Sequence, residues 1–381
     1  MMNEATPGLD LSRSVDAVRD LFPVTRSRTY LMNAAQSPLN LRSRAAIDSY
    51  LDMATDDHAA RAPVRDPIRA LLAGLLGGQA ADYAITTSTG VGISTAAAGF
   101  AWQAGENVVV PAGEHWNSTF PWFNLEKKGI SVRTVDPDAD NRISTEQIAA
   151  RVDQHTRIIC VTAVRFDTGF RHDLRALSAL AHAHGALLVV DGTQCAGAVT
   201  MNVVDDGIDV LACGGFKWLL GLSGTGFMYT NERARSMISP VSPGMFAAEH
   251  SFTRLNFHDD ARRYETGTLA ETLLHGWAAG LRLLVEIGIG NIAARNLHLT
   301  DRLIAGLKTT KYRLISPVDT PQERSAIIAI TAQSAEANKS LFETLTRANI
   351  QVSLRQGSLR ISPNFFNTEA EIDQLLNYLQ D

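Results

Sequence analysis

One stretch constrains this chain more than any other: ALLVVDGTQCAGAVTMNVVDDGIDVLACGGFKWLLGLSGTGFMYT, residues 186–230. It opens with the apolar run Leu187 to Val190, which ends on Asp191. A short, uninterrupted, Val-rich run reads as a buried strand of a parallel sheet. Asp191 then stands at the strand's carboxyl end, where open α/β sheets gather their ligands. Gln194 follows three residues later. A second apolar run, Val210 to Cys213, leads into Gly214, Gly215, Phe216 and Lys217. A lysine on a glycine-flanked turn beside an aromatic ring loses hydration. Its pKa falls, and the free amine becomes a better nucleophile toward a carbonyl.

Each of these residues alone has a plainer reading. A strand-end Asp often caps a helix, and a single lysine is usually solvated. Together, in this order, they supply what pyridoxal 5'-phosphate requires. Lys217 forms the Schiff base with the aldehyde. Asp191 keeps the pyridine nitrogen protonated so that the ring accepts electrons, and Gln194 hydrogen-bonds the phenolic oxygen. With these residues the segment resembles the core of the class V aminotransferases, fold type I pyridoxal phosphate enzymes. That family includes cysteine desulfurases, selenocysteine lyases, kynureninases and isopenicillin N epimerase-like proteins. The similarity runs from about Leu31 to the end. It implies an α/β fold: a large domain with a mainly parallel sheet between helices, plus a smaller α/β C-terminal domain. The expected division is 26–255 for the large domain, with 1–25 and 256–381 forming the small domain and an N-terminal arm.

Bulk composition narrows the partners. The 381 residues are 45% hydrophobic and 20% charged, which suits an ordinary globular protein of two domains. The net charge is −5 with no long basic run, so nucleic acid and anionic membrane are poor partners. The opening MMNEATPGLD lacks a signal-peptide layout, and no apolar run reaches the ~18 residues of a membrane helix. The three cysteines, Cys160, Cys195 and Cys213, have no metal-type spacing; Cys160 and Cys213 read as core residues. The expectation is a cytoplasmic enzyme with no metal site. Asn117-Ser118-Thr119 fits a glycosylation acceptor only by chance.

Strands and helices alternate along the chain, which predicts right-handed crossovers. YAITTSTGVG at 83–92 reads as a strand entering a Ser/Thr/Gly turn, with an Ala-rich helix over 93–102. Free amides at a helix start make an anion site, and the family's phosphate loop falls here, which implies Ser88, Thr89 and Gly90 around the phosphate. The strand 107–110 leads to His115; the resemblance implies a ring stacked on the pyridine, supplied by His115 or else by Trp116. Ser144 with Gln147, and Thr368 with Glu371, read as capping boxes, and Asp173 as a helix cap. YLMNAAQSPLN at 30–40 is either a plain connection or, as in the family, a segment over the active site with Asn33 and Ala34 beside the substrate. RRYETGT at 262–268 resembles the loop that reaches across a homodimer, where Thr268 would touch the partner subunit's phosphate. A long amphipathic helix over 271–287 bridges the domains. In the last α/β unit Arg360 is either a surface edge-strand arginine or, by resemblance, the group that holds the substrate α-carboxylate through a bidentate fork.

Departures from the family pattern bear on the reaction. Desulfurases carry a nucleophilic cysteine on a loop before that arginine; here the loop is only Arg355-Gln356-Gly357-Ser358. Persulfide transfer to the enzyme is therefore disfavoured. The family's usual histidine before the lysine is Phe216, and its usual serine three before is Gly214. Phe216 thus enlarges or dries the pocket. The expected activity is a carbon–sulfur lyase that eliminates the β-substituent of a cysteine-derived or S-substituted amino acid, with Lys217 as proton shuttle. The alternative is an aminotransferase or epimerase of a larger amino acid. A non-enzymatic cofactor-binding scaffold has no physical need for Asp191, Gln194, Lys217 and Arg360 together.

Overall fold

In the computed structural model, residues 15, 16, 18–56, 63–249 and 251–380 are described. In chain order the strands are β1 (Thr29–Tyr30), β2 (Tyr83–Thr86), β3 (Asn107–Pro111), β4 (Ser131–Val135), β5 (Thr156–Thr162), β6 (Leu187–Asp191), β7 (Val210–Gly214) and β8 (Gly226–Thr230). They continue with β9 (Arg313–Leu314), β10 (Ile328–Thr331), β11 (Ile350–Gln351), β12 (Ser353–Arg355) and β13 (Ser358–Ile361). Seven of them form one sheet in the order β2-β8-β7-β6-β5-β3-β4. The five from β7 to β4 are parallel, and β8 runs antiparallel to both β7 and β2. Every residue of β6, β7 and β8 is buried, because helices cover both faces of a parallel sheet. Asp191 pairs with Thr162 of β5 on one side and Ala212 of β7 on the other. The carboxyl ends of three strands thus lie side by side, and β7 delivers the turn that carries Lys217.

Of two helices near those ends, one starts earlier than the sequence pattern predicts and the other has no periodic signal in the sequence. The first spans Thr89–Gly99, four residues earlier than expected, with Ser88 as its cap. Its glycines are not turn residues: a Cβ at Gly92 would lie 2.7 Å from the Ala212 Cβ, so glycine lets the helix settle onto β7. The second, Trp116–Phe123, contains Pro121, which masks its helical character in the sequence. Asp173 caps its helix as expected, its carboxylate accepting from the Ala176 amide at 3.0 Å.

A four-stranded antiparallel sheet, β12-β13-β10-β9, carries the second unit. β1 pairs with β11 in parallel and Met32 bridges to Ser362, so the segment before residue 33 is tied to this C-terminal unit. The cores do not divide near residue 255. Leu274, Trp277, Leu281 and Leu284 of the helix Glu271–Ile287 share a buried cluster with Leu188, Val190 and Leu211 of the large sheet. The element that crosses between cores is the next helix, Ile289–Leu307. Its Ile292 joins that cluster, while Leu299, Leu303 and Leu307 pack with Leu359, Ile361 and Leu375. Gly288, at φ 85°, makes the 81° bend between the two helices. Among the described residues no single helix is long and apolar enough to cross a membrane.

Candidate active site

Asp191 is buried where β6 ends. One carboxylate oxygen accepts from the Ser118 hydroxyl at 2.5 Å and the other from the Thr193 amide at 2.8 Å. Each oxygen keeps a further lone pair for a donor such as a ring N–H. Ser118 lies in the triplet that read only as a chance glycosylation acceptor. Its role needed the helix Trp116–Phe123, which turns it inward.

Gln194 is buried and fully oriented. Its side-chain carbonyl accepts from the Trp218 indole N–H at 2.9 Å, and its amide donates to the Ala34 carbonyl at 2.9 Å. Because indole nitrogen only donates, this pairing fixes which end of the amide is oxygen. One amide hydrogen remains for another acceptor. Asn33 and Ala34 form the facing wall: the Asn33 side chain donates to the Ser362 carbonyl at 2.9 Å, and the Ala34 amide donates to the Ser362 hydroxyl at 3.0 Å. They join the two units beside Gln194 rather than acting as a free loop.

The Thr89–Gly99 helix points its start toward the same region. The Ser88 hydroxyl accepts from the Val91 amide at 3.3 Å, leaving the first helical amides without intrahelical acceptors. The Thr89 hydroxyl bonds that of Thr193 at 2.6 Å, linking this loop to the turn after Asp191. A Cβ at Gly226 would lie 3.0 Å from the Ser88 nitrogen, so β8 approaches the loop as backbone only. Ser88, Thr89 and Gly90 thus stand at a helix start whose free amides suit an anion.

Lys217 stands between these groups. Its amine has no hydrogen-bond partner among the described residues, and it lies over the Phe216 ring, 5.5 Å from the ring centre. Burial, then the charge of Arg360, pulls it down to about 8; Asp191 opposes the shift. Phe216 lies over Gly214: a Cβ there would come 3.0 Å from the ring. The two departures from the family pattern are therefore one packing event, since the aromatic ring occupies the space a larger residue 214 would need.

His115 caps the Trp116–Phe123 helix, its Nδ1 accepting from the Asn117 amide at 3.2 Å. The proton of the neutral ring is then on Nε2. Burial, then Lys217, lowers its pKa, which favours the neutral ring. Phe166 meets it edge-on at 5.6 Å. Trp116, the other stacking candidate, is 67% exposed and stacks on Phe120 outside the site. Behind His115, the buried Glu114 accepts from the Thr162 hydroxyl at 2.8 Å and faces Arg165 at 3.4 Å. Burial pushes Glu114 up to about 7 against the pull of Arg165.

Arg360 completes the constellation. It is only 2% exposed, on the inner strand β13, so the surface ion-pair reading does not hold. Nη1 donates to the Phe166 carbonyl at 2.6 Å, Nε has no partner, and no carboxylate pairs with it among the described residues. Burial and Arg355 lower its pKa, yet a guanidinium stays charged at neutral pH. A buried, unpaired cation is costly unless an anion arrives. Thr268, in contrast, is exposed and touches none of these groups; its loop is anchored by Arg65, which donates to Glu265 and to the Gly267 carbonyl. The three cysteines are all buried, and burial raises each thiol. The hairpin before Arg360 has none.

The residues fit pyridoxal phosphate. A phosphate-sized anion has the helix start and the backbone-only approach of Gly226. An aldehyde has the free Lys217 amine, a pyridine nitrogen has Asp191, and a phenolic oxygen has the spare Gln194 hydrogen. Comparison with known proteins bears on the fold and the family. A probable cysteine desulfurase of Methanothermobacter thermautotrophicus is 26% identical over 97% of this chain and 98% of its own length. Among solved structures, the cystine C-S lyase C-DES in complex with its reaction product cysteine persulfide superposes with a TM-score of 0.87 at 20% identity, covering 94% of this chain and 99% of that one. The apo cysteine desulfurase of Thermococcus onnurineus NA1 gives 0.86 at 22% identity, covering 96% and 97%. Residues 30–375 match the sequence profile described as Aminotransferase class-V, and the chain belongs to that family.

Proposed function

We propose that the protein is a pyridoxal phosphate-dependent carbon–sulfur lyase acting on cysteine or an S-substituted cysteine. The observation that carries this reading is the pairing of a partner-free Lys217 amine, a nucleophile for an aldehyde, with the buried Arg360, a cation for a carboxylate. The family membership supports an amino-acid substrate, and the names of its relatives, a probable cysteine desulfurase and a cystine C-S lyase, support sulfur at Cβ. When bound, pyridoxal phosphate supplies the electron sink that makes removal of the Cα proton feasible.

The chain's own residues do the rest. Arg360 holds the α-carboxylate and recovers the energy of its own desolvation. Lys217, titrating near 8, is divided between amine and ammonium at neutral pH, so one group both takes and returns a proton. Asp191 and Gln194 hold the ring edges, and His115 offers a neutral ring face. No cysteine lies on the β12–β13 hairpin, so sulfur leaves with its substituent rather than passing to the enzyme. The net change is an S-substituted cysteine plus water giving a thiol, pyruvate and ammonia.

The family's homodimer is part of this reading. The exposed Thr268 and the exposed Val91, Trp116 and Phe120 beside the phosphate cradle suit contact with a second subunit. Light scattering of the wild type, and phosphate-site occupancy in Thr268→Ala, test it.

The activity test incubates the cofactor-loaded protein with S-substituted cysteines and measures thiol, pyruvate and ammonia. Equal amounts of the three support the lyase. A keto acid retaining sulfur, formed with the amine form of the cofactor, would establish transamination instead.

A further inference from the structure

The β12–β13 hairpin carries a second arginine that the site described above leaves unused. Arg355 pairs with Ser358 and Ser353 with Arg360 across the two strands. Residues opposite one another in an antiparallel pair share a face, and so do residues two apart along a strand. Arg355 and Arg360 therefore project from one face as diagonal neighbours. The other face presents Leu354 and Leu359 to the core of the C-terminal unit. The turn between them is stiff, with Gln356 at φ 47° and Gly357 at φ 80°, the left-handed pair of a two-residue hairpin.

Arg355 is exposed and has no carboxylate partner among the described residues. Its register sets it diagonally beside Arg360 on the outer end of that face, and its charge acts on Lys217, His115 and Arg360. Among the described residues the site thus holds Lys217, Arg355 and Arg360 against the carboxylate of Asp191. Nearby Glu114 and Asp167 are already engaged with Arg165 behind it. After one α-carboxylate settles on Arg360, a cation is still unmatched at the entrance.

We infer that Arg355 reads a second carboxylate, so that the preferred substrates are amino acids whose Cβ–sulfur substituent ends in an acid. The inference rests on the lyase reading for the substrate's sulfur, but not for the pairing of two arginines with two carboxylates.

Two measurements separate those parts. In calorimetry on the cofactor-loaded protein, glutarate should bind about tenfold tighter than glutaramate, its half-amide, since a charge-assisted contact is worth roughly that factor. Arg355→Gln should bring the two ligands level. Equal binding in the wild type, a preference that survives in Arg355→Gln, or no glutarate binding overturns the inference. In turnover, kcat/KM for S-carboxymethylcysteine over that for S-carbamoylmethylcysteine should be about ten in the wild type and near one in Arg355→Gln. A ratio near one in the wild type overturns the inference. If neither thioether is cleaved while glutarate still discriminates, the lyase reading fails and the assignment of Arg355 stands.

Discussion

The two walls of the site balance their charge differently. On the sheet side, Asp191 has Ser118 and Thr193, Gln194 has Trp218 and Ala34, and Thr89 has Thr193. On the hairpin side, Arg360 has one carbonyl and an orphaned Nε, and Arg355 has no partner among the described residues. A wall whose polar groups are already satisfied is built for a resident molecule that needs fixed geometry. A wall with unmatched cations is built for an anion that comes and goes. The difference separates cofactor from substrate without either being present.

The largest effect that bears on this contrast is at Lys217, which stands between the walls. Lys217→Ala should lose at least about three orders of magnitude in turnover, in line with a general acid–base group. It should also lose borohydride-fixed cofactor. In the wild type, cofactor capture should accelerate as pH rises and level off above about 8, because the lowered pKa frees the amine there. A plateau only near the ordinary lysine range would mean the amine is not buried as described.

Next comes a pair of variants that sets stability against function. Asp191→Ala orphans two donors and should lower unfolding free energy by about 1–3 kcal/mol. Arg360→Met removes an unpaired buried charge, and its unfolding midpoint should hold or rise. Both should be nearly inactive. A large loss of stability in Arg360→Met would show that the guanidinium is satisfied in the free protein, and the contrast between the walls would collapse.

A smaller effect concerns the back of the sheet wall. Glu114 is raised from its usual range to about 7, so folding favours its protonated form. That stability is present below about pH 4.5 and is lost as pH rises through 7. Glu114→Gln should flatten the fall in stability between pH 5 and pH 8 by about 1–3 kcal/mol relative to the wild type. Parallel curves for the two proteins would remove Glu114 from the titrating groups.

The smallest expected change is Trp218→Phe. It frees the Gln194 carbonyl and should cost about 1 kcal/mol of stability, with a shift in the absorbance of the bound cofactor. An unchanged spectrum would mean that Gln194 is oriented by Ala34 alone.

Local pattern made the sheet strands of the central segment legible. Leu187 to Asp191 and Val210 to Gly214 read correctly because burial on both faces demands unbroken apolar runs. Asp191 was legible as the end of the first run, and Gln194 and Lys217 lie on the turns that follow the two strands. The helix Trp116–Phe123 did not, since Pro121 and the polar Asn-Ser-Thr run speak against a helix locally while Trp122 buries itself regardless. Nor could the division of cores near residue 290 be read, because Glu271–Ile287 and Ile289–Leu307 have similar amphipathic patterns and only packing assigns each to a core.

Sequence by itself determined the chemistry available: an acid, an amide and a lysine at or just after strand ends, a helix start behind a Ser/Thr/Gly turn, and an arginine near the C terminus. Tertiary structure decided which of these are satisfied and which wait. Thr89 meets Thr193 across 104 residues, and Arg360 meets the Phe166 carbonyl across 194. Contacts of that span leave no periodic trace in the chain. Whether a buried charge has a partner depends on them, and no local pattern of residues records it.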